Sequence, residues 1–159
     1  MNIKVICIGK LKEKYWQDAC SEYLKRIGGY CKIDIVELKE AKLPKNASPA
    51  DEENVMQKEG EAILSKIGDN DYVIALEVEG KQLDSVELSK KITSIFAGGR
   101  QTVDLVIGGS LGLSPTVKKR ADYGLSFSRM TFPHQMARVI LLEQVYRAFK
   151  IANNETYHK

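Results

Sequence analysis

The chain has 159 residues, of which 43% are hydrophobic and 28% are charged, and its formal net charge is +3. A chain of this length and composition suits one folded domain, so we expect a single domain over residues 1–159 and no extensive disorder. The apolar run at the N-terminus is too short for a signal peptide, and no segment approaches the roughly 20 apolar residues that cross a bilayer. We therefore expect a cytoplasmic protein with no membrane partner.

The three cysteines, Cys7, Cys20 and Cys31, form no C-x-x-C pair. An odd number without paired spacing indicates neither a disulfide framework nor a zinc site, and we expect no metal. Each cysteine lies in a segment whose pattern predicts burial. We interpret all three as small apolar residues of the core.

The first part of the chain predicts a β-α-β unit. Residues 3–8 and 31–38 are rich in Ile and Val, as strands are, and apolar residues recur at helical spacing between Tyr15 and Ile27. The pair Gly28-Gly29 would end this helix. Two strands joined by a helix pair in parallel, so the sheet is expected to begin as a parallel one.

The middle of the chain continues this alternation. The pattern predicts a helix over 48–68, a strand over 71–78, a helix over 84–98 and a buried strand over 102–107. Ser48 before a proline is a good N-cap, and Asp84 with Glu87 resembles a capping box. The order β-α-β-α-β-α-β predicts an α/β fold, with a parallel sheet between two layers of helices.

The last third predicts a short basic helix around residues 118–120, a short strand over 123–126 and a long helix from Pro133 through Ile151. Apolar residues occur around more than one face of the long helix, where Leu141 and Leu142 are adjacent. One face would pack on the sheet. The other needs a cover, which either a homodimer interface or packing within the monomer would supply.

Positive charge is concentrated towards the C-terminus. Residues 1–97 contain 15 Lys and Arg against 17 Asp and Glu, whereas residues 98–159 contain 9 against 4. This asymmetry indicates either a polyanionic partner such as nucleic acid or a solvated surface. The same two interpretations apply to the run Lys118-Lys119-Arg120.

A glycine-rich loop, residues 108–112, directly follows the fourth strand. Ligands of parallel α/β sheets bind outside the carboxyl ends of the strands, and glycine lets the backbone approach them closely. The loop matches neither G-x-G-x-x-G opening a long helix nor a Walker A loop, which disfavours a phosphate-binding role. A tight turn that merely requires glycine is the alternative.

The segment 127–134, just before the long helix, is a second candidate site. Backbone N–H groups near a helix start could bind a cofactor. His134 lies in the first helical turn, where it is either a capping or packing residue or a group that hydrogen-bonds a ligand.

Four motifs occur together in one order. They are Val106-Ile107-Gly108-Gly109-Ser110-Leu111-Gly112-Leu113-Ser114, Ser128-Arg129-Met130-Thr131-Phe132-Pro133-His134 leading to Arg138, Glu143-Gln144-Val145-Tyr146-Arg147-Ala148, and Asn153-Asn154 with the terminal Tyr157-His158-Lys159. Together they resemble the ribosomal RNA large subunit methyltransferase H family, which is of the SPOUT class. The resemblance covers essentially the whole chain in length and order.

The resemblance implies a parallel sheet with a C-terminal trefoil knot, S-adenosyl-L-methionine as cofactor and a homodimer. It implies methylation of N3 of a pseudouridine in 23S rRNA on the assembled ribosome. The cofactor-binding residues that it implies are Leu76, Gly108, Gly109, Phe127, Ser128, Arg129, Met130, Thr131 and Phe132. We expect the Arg129 side chain to point outward, towards RNA, because the sulfonium is cationic.

By the same resemblance the C-terminal tail reaches the active site. We hypothesise that Tyr157 contacts the target base, that His158 assists removal of its N3 proton, and that Lys159 and Arg138 hold RNA phosphate. A disordered terminus is the alternative.

Two other functions compete with this one. A non-enzymatic ribosome-associated RNA-binding factor would keep the basic half but would not need three cofactor segments. A nucleotide-dependent enzyme of Rossmann type is disfavoured because the glycine fingerprint and a phosphate-binding lysine are both absent.

Overall fold

A computed structural model of the chain describes all of its residues, 1–159. Five strands alternate with five helices. In chain order they are β1 (Asn2–Ile8), α1 (Lys14–Ile27), β2 (Lys32–Leu38), α2 (Pro49–Leu64), β3 (Tyr72–Gln82), α3 (Ser85–Ala97), β4 (Thr102–Ile107), α4 (Pro115–Arg120), β5 (Tyr123–Ser126) and α5 (His134–Ala152). No helix combines the length and the apolarity that crossing a membrane requires.

The five strands form one sheet in the order β2-β1-β4-β3-β5, and all four pairings are parallel. Helices α1, α3 and α5 pack on one face, while α2 and α4 contact each other on the opposite face. The predicted α/β fold with a parallel sheet between two helical layers is confirmed. The trefoil knot stays a prediction.

Alternation along the central strands builds the two cores. In β1, Ile3, Val5 and Cys7 belong to the core under α1, α3 and α5, whereas Ile6 and Ile8 belong to the core under α2 and α4. Successive side chains of a strand point to opposite faces, so a strand covered on both faces is apolar throughout. The three cysteines are buried and unpaired, as expected, and burial raises the pKa of the Cys7 thiol to about 11.

The helix caps follow the predicted residues. Ser48 and Asp51 form a capping box at the start of α2, and Asp84 and Glu87 form one at the start of α3. Two boundaries differ from expectation. Helix α2 ends at Leu64 rather than near residue 68, and β3 continues past residue 78 because it resumes pairing with β5 after an irregularity between Leu76 and Lys81.

The long helix α5 is covered within the chain. It lies between α1 and α3 and on β4. Its buried apolar residues are Leu141, Leu142, Val145, Tyr146, Ala148 and Phe149. The apolarity of this helix is therefore explained by packing inside the monomer, which was one of the two alternatives, and it gives no support for a homodimer.

A partly buried charge cluster lies at the amino edge of the sheet. Lys4 of β1 contacts Asp71 at 2.8 Å and Asp104 of β4 at 3.2 Å. Asp104 is fully buried, although it is a charged residue within the strand that the sequence predicts to be buried. Burial, offset in part by Lys4, raises the pKa of the Asp104 carboxyl to about 7.

Replacing Asp104 should therefore change stability in a pH-dependent way. An unfolded Asp titrates near about 3.9, so the folded chain holds this proton more tightly, and stability from the group is lost as pH rises from about 4 through about 7. Asn does not titrate, so we expect the unfolding free energy of Asp104→Asn to rise relative to that of the parent chain as the pH is raised from about 5 to about 8. Urea denaturation at a series of pH values measures this difference.

Asp71→Asn is the matched control of opposite sign. Although burial disfavours its charge, hydrogen bonds from Lys4 and the Gly68 N–H lower the pKa of Asp71. This variant should lose stability at neutral pH, and its deficit should shrink as pH falls. An Asp104→Asn stability difference that does not change with pH would contradict the assignment.

Candidate functional site

A cleft of about 340 Å³ opens at the carboxyl edge of the sheet. Its wall combines the middle of β3, the loop after β4 and the segment between β5 and α5. The lining residues are Leu76, Glu77, Val78, Glu79, Ile107, Gly108, Gly109, Gly112, Leu113, Lys118, Leu125, Phe127, Ser128, Met130, Thr131, Phe132, His134 and Ala137. Its volume lies within the range of small-molecule sites, about 300–1,000 Å³.

The cleft brings together eight of the nine residues that the sequence predicted for a cofactor site. Arg129 is the exception. It is exposed and does not line the cleft, which agrees with the expectation that its side chain points outward. The Arg129 side chain therefore makes no contact inside the cleft. What the eight residues bind stays a prediction.

The glycine loop forms the floor of the cleft with its backbone. The Gly112 N–H donates to the Gly109 carbonyl at 3.0 Å, which closes a tight turn. A Cβ at Gly108 would lie 2.7 Å from the Gly112 carbonyl carbon, so no other residue fits there without moving the backbone. The loop therefore presents main-chain groups, with little side-chain bulk between them and a ligand.

The segment after β5 forms the opposite wall. The Ser126 hydroxyl donates to the Ser128 carbonyl at 2.9 Å, and the Met130 N–H donates to the Ser128 hydroxyl at 3.1 Å. These bonds hold the turn that places Phe127, Met130 and Phe132 on the cleft. The walls are mainly apolar, with the charged groups Glu77, Glu79 and Lys118 among them.

Arg138 does not lie where the sequence hypothesis put it. Its side chain is only 2% exposed, and its guanidinium donates to Glu37 at 2.7 Å and to the Gly9 carbonyl at 3.1 Å. A guanidinium enclosed in this way has no access to RNA phosphate. The expected phosphate contact by Arg138 is therefore wrong, and the residue instead ties the first turns of α5 to the carboxyl ends of β1 and β2.

The basic run of α4 is also largely engaged. Arg120 donates to the carbonyls of Gly68 and Asp71 and pairs with Asp122, and Lys118 pairs with Glu77 at 3.5 Å. Of the three, only Lys119 has no such partner. A phosphate-binding patch made of all three side chains is not what this helix presents.

The C-terminal tail docks against α5. The Tyr157 hydroxyl donates to Glu143 at 3.1 Å, its ring meets Tyr146 edge-on with centroids 4.9 Å apart, and the Arg147 guanidinium lies over it at 4.7 Å. Burial, with the neighbouring Glu143 carboxylate, raises the pKa of Tyr157 to about 12. The phenol is thus held as a protonated anchor for the tail.

His158 lies beside Arg147, whose Nη1 is 3.4 Å from Nδ1 of the imidazole. A guanidinium only donates, so Nδ1 accepts, and the neutral ring then carries its proton on Nε2.

The tail and the cleft lie at opposite ends of α5. Arg147 follows His134 by 13 residues of this helix, which separates the two residues by about 20 Å along the helix axis. Because His134 lines the cleft, the tail of this chain lies far from its own cleft.

Sequence reasoning missed Glu77. It directly follows Leu76 near the end of a buried strand, which is the position where ligand-facing residues of parallel sheets occur. That signal was available, but an acidic residue between apolar ones is also typical of a strand leaving the core. No group of three or more His, Cys, Asp or Glu side chains has the arrangement to hold a metal ion.

Comparison with known proteins gives consistent matches. A family model described as "Predicted SPOUT methyltransferase" matches residues 1–158. The chain is 56% identical to "Ribosomal RNA large subunit methyltransferase H 1" of Clostridium perfringens and 55% identical to the methyltransferase H of Bifidobacterium adolescentis, in both cases over all of each chain. A solved structure of a probable methylase family protein from Haemophilus influenzae matches 99% of this chain and 70% of its own, with a TM-score of 0.56 and 15% identity.

Removing the charge of Glu37 should destabilise the fold, because it leaves the buried Arg138 without its counter-ion. We expect Glu37→Gln to lower the unfolding free energy by about 3 kcal/mol, measured by urea denaturation. Glu22 pairs with Arg26 on an exposed helix surface, where solvent screens the pair, so Glu22→Gln is the control and should leave the unfolding free energy nearly unchanged. Equal effects of the two variants would show that the buried pair is not a structural anchor.

Proposed function

The chain belongs to the ribosomal RNA large subunit methyltransferase H family of SPOUT methyltransferases, and from this premise we propose that it methylates N3 of a pseudouridine in 23S rRNA. In this proposal the methyl donor is S-adenosyl-L-methionine and the substrate is the assembled ribosome, so that the enzyme works in the cytoplasm. That it is an rRNA methyltransferase follows from full-length identity of 54–57% to relatives of that name.

The cleft is the observation that carries the proposed cofactor. The glycine loop offers main-chain groups at close range, Leu76, Phe127 and Phe132 offer apolar contact, and the cleft has room for a small molecule. These residues suit an adenosine with a methionine chain, which needs apolar surface and a few backbone hydrogen bonds. When bound, S-adenosyl-L-methionine supplies an electrophilic methyl group on a sulfonium.

The protein has two remaining tasks, which are positioning the base and handling the N3 proton. Bringing two reactants into a near-attack geometry is worth up to about 7–11 kcal/mol in well-oriented systems. As N3 loses its proton to solvent, negative charge grows on the neighbouring carbonyl oxygens. With Nδ1 facing Arg147, His158 offers the N–H of Nε2 to such an oxygen, so we assign it hydrogen-bond donation rather than proton abstraction.

The separation of tail and cleft supports a homodimer. The tail of a chain lies about 20 Å along α5 from the cleft of the same chain, so a second copy would have to bring its tail to complete each site. Exposed apolar side chains near the carboxyl edge offer surface for such contact. They include Tyr15 at the start of α1, Met136 in the first turn of α5 and Met130 at the cleft.

The RNA contacts in this proposal come from side chains that are free to make them. Lys159 ends the exposed tail, Arg129 projects from the cofactor segment and Lys119 projects from α4. Lysine is a point charge, so its phosphate contacts would not be bidentate. Such contacts would add affinity that falls with salt concentration.

The function is tested by incubating the purified protein and S-adenosyl-L-methionine with ribosomes that lack the modification, then digesting the 23S rRNA for mass spectrometry. We expect one methyl group on a pseudouridine, and less of it when free 23S rRNA replaces ribosomes. Gly108→Val serves as the inactive control, because its side chain would collide with the backbone of Gly112. Absence of both methylation and cofactor binding by calorimetry would favour a non-enzymatic ribosome-associated factor.

Complementation between two inactive variants tests the shared site. One variant lacks residues 157–159 and the other carries Gly108→Val. Co-refolded in equal amounts, they should recover about a quarter of the parent rate, since half of the dimers are mixed and each has one complete site of two. If the mixture stays inactive while both variants dimerise, the tail acts within its own chain or not at all.

A further inference from the structure

We propose that Glu77 lets the cleft distinguish the cationic methyl donor from the uncharged thioether that it becomes. This inference rests on the proposed function, because it assigns the specificity of the proposed cofactor site. Glu77 is not among the residues that the sequence pointed to. Glu77 lines the cleft beside Leu76, and its side chain is 23% exposed.

The fold holds this carboxylate in the cleft wall from two sides. Regular pairing of β3 with β5 is interrupted between Leu76 and Lys81, so residue 77 leaves the strand register at the cleft. One carboxylate oxygen lies over Gly124 of β5, where an added Cβ would be 2.1 Å from it. The other oxygen lies 3.5 Å from the Lys118 ammonium. Gly124 and Lys118 therefore hold the Glu77 carboxylate in one position, and it does not extend freely into solvent.

The charges of the two ligands differ at one atom. The donor carries a sulfonium, an ammonium and a carboxylate, whereas S-adenosylhomocysteine carries only the last two. A fixed carboxylate at a partly buried site attracts the extra positive charge, and the attraction is stronger there than in bulk water because the effective dielectric constant is lower. Loss of that charge on methyl transfer would weaken binding of the product selectively.

Lys118 sets the strength of this effect. Its ammonium pairs with the Glu77 carboxylate and so partly neutralises the negative charge that a ligand in the cleft would encounter. Glu79 also lines the cleft, but it lies on the exposed part of β3 and has no such fixed position. Neutralising Glu77 and neutralising Lys118 therefore change the charge of the cleft in opposite directions. Neutralising Glu79 is the matched control for Glu77.

Calorimetry of the full-length protein with three ligands tests the assignment. The ligands are S-adenosyl-L-methionine, S-adenosylhomocysteine and sinefungin, in which an ammonium-bearing carbon replaces the sulfonium. For Glu77→Gln we expect binding of the two more cationic ligands to weaken about tenfold and binding of S-adenosylhomocysteine to change less than about twofold. Glu79→Gln should change all three by less than about twofold, and Lys118→Gln should tighten the cationic ligands.

A second variant moves the carboxylate without removing it. At Gly124 the atoms that an added Cβ would meet are those of the Glu77 side chain, so Gly124→Ala should displace that side chain and leave the backbone in place. We expect it to reduce selectivity for the cationic ligands as Glu77→Gln does. In the double variant the two losses should not add, because they act on the same carboxylate.

The outcomes separate the inference from the function beneath it. If the parent protein binds none of the three ligands, the proposed function fails. If the parent binds them and Glu77→Gln weakens all three equally, the carboxylate contacts the shared ammonium or supports the fold, and the inference is overturned. Unchanged affinities for every ligand in both Glu77→Gln and Gly124→Ala overturn it as well.

Discussion

The buried guanidinium of Arg138 is the contact on which the C-terminal half of the molecule depends. Strand β5 lies at one edge of the sheet, beside β3, whereas α5 begins next to Gly9 at the end of β1. The segment between them must therefore cross the carboxyl edge past β3 and β4. Arg138 fixes the far end of that crossing on Glu37 and on the Gly9 carbonyl. Because the crossing segment is also a wall of the cleft, an ion pair at β1 and β2 helps to set the shape of a site on the other side of β4.

The ion pairs of the fold change the interpretation of the charge distribution along the sequence. The excess of basic residues after position 97 indicated either a polyanion-binding surface or a solvated one, yet several of these residues pair with acids of the same chain. Arg138 and Lys118 pair with Glu37 and Glu77 from the acidic N-terminal part, while Arg147 and Lys150 pair with acids on or just after α5. The uneven distribution of charge along the sequence thus reflects, in part, ion pairs between segments that are far apart in the chain. The charges left for RNA are fewer and lie on the exposed parts of the tail, α4 and the crossing segment.

The sequence predicted the elements well because their signals are local. Helix caps, glycine stops and strand alternation depend on residues within a few positions of each other, and Ser48 and Asp84 cap their helices as the patterns indicated. The gathering of Leu76, Gly108 and Phe127 at one cleft was also predictable, since parallel strands end at one edge. What failed depends on partners that no spacing reveals. Burial of Arg138 needs Glu37, 101 residues away, and burial of Asp104 needs Lys4 from another strand.

The argument for the proposed homodimer comes from the length of the long helix and not from its apolarity. Its buried faces are satisfied by α1, α3 and β4 in the same chain, so no second subunit is needed to cover them. Its length, however, separates the groups at its two ends. The first turn carries His134 at the cleft, and the last turns carry Arg147 and the docked tail, about 20 Å away along a rigid helix. A reaction that uses both ends therefore needs either undocking of Tyr157 from Glu143 or the tail of a partner, and only the second keeps the tail anchored while it works.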